Sequence, residues 1–116
     1  MKKNENKKRE IRIMADFECF DWSGPNSGYF DWRDYQTKFP ELVIIEQELW
    51  DWLAWFEEKV TPGEDPDFPW KEFHEKGIAL TKKLATVLKP LEVDVYYDWC
   101  YEDLMSRNLK SLKVDV

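Results

Sequence analysis

One histidine, two cysteines and a crowd of carboxylates are the groups in this 116-residue chain whose types could support covalent or acid–base chemistry. Asp16, Glu18, Asp21, Asp31 and Asp34 lie close together in sequence, and paired carboxylates of this kind bind divalent cations or serve hydrolases. Their spacing matches no calcium loop and lacks its central glycine, so a solvated acidic face is expected. His74 stands without a neighbouring serine or cysteine that would complete a nucleophile pair, and as a lone histidine just off a helix stripe it is expected to be partly exposed. Cys19 and Cys100 form no CxxC pair and have no histidine cluster beside them. They read as reduced, buried thiols, and no catalytic residue, cofactor or metal ion is expected.

The more telling chemistry is aromatic. The chain holds seven tryptophans, and it sets rings beside acids in Phe20-Asp21-Trp22 and in Phe30-Asp31-Trp32-Arg33-Asp34-Tyr35. Strand alternation cannot bury every ring of such a run. Rigid aromatic anchors beside carboxylates suit an arginine- or lysine-rich surface, through packing, cation–π contact and charge-assisted hydrogen bonds. A second run of the same texture spans Tyr96 to Asp103.

These residues must be positioned by a small number of elements. Ile11 to Phe20 alternates apolar and polar residues, which predicts a half-buried strand. The cluster Ser23-Gly24-Pro25-Asn26-Ser27-Gly28 predicts a turn, with a second short strand returning near 29–32. Leu42, Ile45, Leu49, Trp52, Leu53, Phe56 and Val60 recur at helical spacing, so 41–59 is expected to be an amphipathic helix. Ile44 and Trp55 fall on its opposite face among Glu48, Asp51 and Glu58. A second helix near 67–89 carries the stripe Trp70, Phe73, Gly77, Leu80, Leu84, Val87 and Leu88, and Gly77 on that stripe predicts a close approach of another element. Alternation from Val93 to Tyr101 predicts a central strand near 92–101, after which the chain is compatible with a short helix or an edge strand. The expected fold is α+β, a small, mainly antiparallel sheet packed against two amphipathic helices.

The length suits one domain, expected over residues 10–116. Lys2, Lys3, Lys7, Lys8 and Arg9 outweigh Glu5 to give the first nine residues a charge of +4, which leaves −11 on the rest of a chain whose total is −7. That start is too polar to pack and is expected to be a disordered basic tail. The acidic body would repel nucleic acid and anionic membrane and speed encounter with a cationic protein. No apolar run is long enough for a membrane span and no secretory apolar region follows the basic start, so a cytoplasmic location is expected.

The opening Ile11 to Trp22, IRIMADFECFDW, resembles the first strand of small acidic bacterial proteins with an I-x-I-M-A-D-[FY]-x-C pattern. The short, acidic, tryptophan-rich α+β build is similar to that of immunity proteins from contact-dependent growth inhibition and other polymorphic toxin systems. This resemblance implies an antitoxin-like inhibitor that binds a cognate toxin domain, often a basic nuclease. Trp22, Asp31, Trp32, Asp34, Glu48, Asp51 and Trp55 are the candidate partner-binding residues, with the rings as desolvated anchors and the carboxylates pairing with the nuclease's substrate-binding cations. The alternatives are a carbohydrate- or other ligand-binding module using exposed tryptophan, and a small carboxylate-dependent hydrolase. Oligomeric state is left open by the sequence.

Overall fold

In the computed structural model, residues 9–22, 32–60 and 67–116 are described, without the side chains of Arg9, Trp22 and Trp32. Four strands and two long helices form two layers: β1 (Arg9–Asp16), β2 (Cys19–Trp22), α1 (Glu41–Lys59), α2 (Trp70–Leu88), β3 (Val93–Tyr97) and β4 (Leu112–Val114). The α+β class is the one the residue pattern predicts. The sheet order is β2-β1-β3-β4, with antiparallel pairs at both edges and β1 parallel to β3 in the middle. A parallel central pair needs a long crossover, and the α1–α2 hairpin supplies it.

The first predicted strand is divided. It breaks at Phe17 and Glu18, where β1 turns into β2 with Asp16 opposite Cys19. Glu18 adopts φ 69°, a left-handed conformation that usually draws glycine or asparagine to a tight hairpin. Its amide donates to Glu57 on α1 at 2.5 Å, which ties the turn to the helix layer. Most of the strand expected near 29–32, and the Ser23–Gly28 turn before it, lie outside the described residues; Trp32 instead opens a 3-10 helix, Trp32–Tyr35. The basic tail expected over residues 1–9 also lies outside them, except that the Arg9 backbone begins β1.

The helix layer follows the periodicity closely. Every residue of the α1 stripe from Leu42 to Phe56 is buried, as is Val60 just beyond it. The second helix begins later than expected, at Trp70, because Phe68 turns into the core and Pro69 caps the helix without a side-chain hydrogen bond. Gly77 has the predicted packing role: a Cβ there would come within 2.6 Å of both Trp52 and Tyr97. That missing side chain lets a tryptophan of α1 and a tyrosine of β3 meet over α2, and the Trp52 indole N–H donates to the Phe73 carbonyl at 3.0 Å.

On the sheet, Ile11, Ile13, Ala15, Val93, Val95, Tyr97 and Val114 face the helices. Arg12 and Tyr96 share the opposite face, with the guanidinium 4.4 Å from the ring centroid, and Lys113 pairs with Asp94 at 3.8 Å. The sheet is therefore covered on one side by helices and solvated on the other, as alternating strands require. The C-terminal ambiguity resolves as an edge strand, β4. Among the described residues no helix is long and apolar enough to cross a membrane.

Candidate functional site: a groove between the two helices

Helix α1 begins beside the end of α2, because Glu41 and Ile44 share a recess with Lys83 and Val87, while Trp55 near its end contacts Phe73 near the start of α2. The helices are antiparallel neighbours, and the seam between them opens on the side away from the sheet. Three adjoining recesses run along it. The first, about 380 Å³, is walled by Glu41, Ile44, Glu48, Lys83 and Val87; the next, about 280 Å³, by Glu48, Asp51, Trp55 and Lys76. Glu48 belongs to both, and Trp55 continues into a third recess with Lys59 and Phe68.

The α1 rim reads Ile44, Glu48, Asp51, Trp55, a spacing of four, three and four residues that keeps one face of a helix in line for about 16 Å. Ile44 is 65 % exposed, a large fraction for an isoleucine set above a core. Trp55 is half-buried, lying against Phe68 and Phe73 at centroid distances of 5.3 and 5.4 Å. Asp51 accepts from the Gln47 amide at 3.0 Å. Glu48 presents both carboxylate oxygens to the Lys83 ammonium, each at 3.3 Å. Along the first two recesses the rims thus differ in charge, with carboxylates on α1 and ammonium groups on α2.

Of the predicted partner-binding residues, Glu48, Asp51 and Trp55 come together in this groove. Asp34 is exposed on the 3-10 helix, which docks on α1 through Gln36 and Arg33 to Glu46, at 2.7 and 3.8 Å. Glu46 is about 160° around the helix from Glu48, so Asp34 belongs to the other flank of α1. Asp31 and the side chains of Trp22 and Trp32 lie outside the described residues. Ile44 joins the groove, and its helical phase with Trp55 was the signal for it.

The sequence run Tyr96 to Asp103 builds something different. Tyr97, Cys100, Glu102 and Asp103 are buried, and in that run only Tyr101 is largely exposed. His74 is 6 % exposed, contrary to its expected partial exposure, because Tyr97 and Asp103 close over it from the sheet and the segment beyond. Its Nδ1 lies 2.7 Å from the Tyr97 hydroxyl and its Nε2 2.7 Å from Asp103. With Asp103 ionised, Nε2 carries the proton and donates, and Nδ1 accepts from the phenol. Burial lowers the His74 pKa against the opposing pull of Asp103, and burial raises that of Tyr97 well above its ordinary value. Burial likewise pushes the Cys100 thiol up, which makes it a weak nucleophile. Cys19 is half-buried, not buried as expected, since it sits on the edge strand, where its thiol donates to the Asp21 carbonyl. Both thiols are free.

The Tyr–His–Asp chain has the bonding order of a proton relay, but its members are enclosed, and its clearest consequence is architectural. Asp103 also accepts from the Met105 amide at 3.1 Å, and its carbonyl accepts from the Ser106 and Arg107 amides. At the base of the same segment Trp99 donates to the Lys110 carbonyl, while Ser111 bonds to Asp98. Residues 98–111 are therefore a closed loop pinned to α2 through one histidine. Among the described residues no cluster of three or more metal-binding side chains occurs.

No protein-family model, curated protein or solved structure matches the chain. The α1–α2 groove and its charges must carry the functional argument by themselves.

Proposed function

We propose that the protein is an immunity- or antitoxin-like inhibitor, which binds a cognate toxin domain of the basic nuclease class and covers the cationic cleft that would otherwise hold nucleic-acid phosphates. The observation that carries this reading is the setting of Glu48, a carboxylate offering two oxygens to a cation between exposed Ile44 and half-buried Trp55. Lys83 occupies that position with a single ammonium. A partner's arginine matches two carboxylate oxygens with a planar pair of N–H donors, which an ammonium cannot do. Displacing Lys83 costs little, because an exposed lysine–carboxylate pair contributes about 0–1 kcal/mol.

The rest of the groove fits the same partner. Asp51 supplies a second carboxylate one helical turn further on, and Trp55 offers a rigid ring face already held by Phe68 and Phe73. Such an anchor loses little conformational freedom on binding. The acidic body adds long-range attraction that raises the association rate at low salt.

The test is capture from the native organism at low and moderate salt, with the protein and its E48K/D51K variant as baits, followed by assay of the captured protein's nuclease activity. A basic nuclease held and silenced by the native bait alone supports the inhibitor reading. Absence of any basic partner, or equal capture by the variant, rejects respectively the function or its assignment to this groove.

A further inference from the structure

We infer that the groove also recognises a second copy of this chain, forming a two-fold dimer in which the outer faces of α1 and α2 pack against those of the partner. The argument rests on the pattern of charge across the seam. Glu48 and Lys83 stand at one level, as their 3.3 Å contact requires, and further along the seam Asp51 and Lys76 wall one recess. In these two recesses the acids are all on α1 and the ammonium groups all on α2.

A two-fold axis running along the seam exchanges left and right without changing level. It lays α1 of one protomer over α2 of the other, so Glu48 meets Lys83 of the second copy and Asp51 faces the stretch of that helix from which Lys76 reaches. The Glu48–Lys83 ion pair joins its copy in a ring of four alternating charges. The same operation lays Ile44 over Val87 of the second copy, which covers the isoleucine that is 65 % exposed in the single chain. An axis across the seam would instead set acids on acids, so the charge pattern selects one arrangement from two. Self-complementarity of this kind is what a closed two-fold interface demands.

The size is adequate. Two 19-residue helices, each about 28 Å long and set about 10 Å apart, present a face of roughly 560 Å², or roughly 1,100 Å² for the pair, near the lower bound for a specific interface. Such a dimer is held weakly enough to be opened by a competitor. It does not depend on the inhibitor reading, but it shares the rims that reading uses, so the two occupants exclude each other and the dimer acts as a resting state.

The experiment is sedimentation velocity over a dilution series, with helix content checked by circular dichroism. The wild type is expected to pass from 14.1 kDa to twice that mass as concentration rises. E48K/D51K and K76E/K83E should each remain monomeric, because each makes both rims one sign, and an equimolar mixture of the two should restore the dimer. A wild type that stays monomeric, variants that dimerise like it, or a mixture that fails to pair would each overturn the proposal. The inhibitor reading fails separately: K76E/K83E keeps Glu48 and Asp51, and must still capture a basic partner although it cannot dimerise.

Discussion

The α1–α2 groove and the His74 cluster make opposite use of the same kinds of residue. His74, Tyr97, Asp103 and Cys100 have the chemical types of an active site, yet all four are enclosed; the first three spend their hydrogen bonds on one another and on nearby backbone, and the Cys100 thiol donates to Glu102. Ile44 and Trp55 have the types of a core, yet they line an open seam among carboxylates. Residue type alone is therefore a poor guide here. Position relative to the apolar layer decides which polar groups are enclosed and which apolar ones stay at the surface.

Changes that intrude on the enclosed region should cost most. Gly77→Ala places a methyl within 2.6 Å of two aromatic rings that have no room to retreat, and is expected to lower unfolding free energy by about 3 kcal/mol in urea titration. Asp103→Ala leaves the His74 Nε2–H without its acceptor and unpins the 98–111 loop, for an expected loss of about 2 kcal/mol and faster amide exchange at Met105 to Arg107. Unchanged exchange there would mean that the loop is held by its base alone.

The pH dependence sharpens the same contrast. Because burial lowers the His74 pKa, the unfolded chain takes up a proton below about pH 6.5 that the folded chain resists. This contribution to stability is present above 6.5 and is lost as the pH falls through the region below it. Thermal unfolding between pH 7.5 and 5.5 should show the decline in the wild type and a flatter profile in His74→Gln. An equal slope in both would remove His74 as its source.

The smallest effect on stability belongs to the groove. E48K/D51K removes one exposed ion pair and one hydrogen bond within a helix, and should change unfolding free energy by no more than about 0.5–1 kcal/mol. A much larger loss would show that the seam contributes to folding in its own right and would weaken its assignment as a recognition surface.

Much of this arrangement is legible in the chain because it is local. The α1 stripe, the Ile44–Trp55 phase and the packing role of Gly77 all follow from helical periodicity. The β1–β2 turn was concealed because Phe17 and Glu18 carry none of the usual turn residues and the alternation runs on through them. The His74 cluster was concealed for another reason: its partners lie 23 and 29 residues away, brought together only by the pairing of β3 with β1 and the closure of the loop beyond it. Nor could composition show that Asp34 lies on the other flank of α1 from Glu48, Asp51 and Trp55, since it is placed by the contacts of Arg33 and Gln36 with Glu46.

The proposed inhibitor role is tested most sharply by titrating the activity of any nuclease that the native bait captures with three folded proteins: wild type, His74→Gln and E48K/D51K. The groove account predicts equal neutralisation by the first two and a loss of about a hundredfold in potency for the third, the scale of two charge pairs removed from one interface. Neutralisation by E48K/D51K at wild-type potency, or its loss in a folded His74→Gln protein, would contradict it.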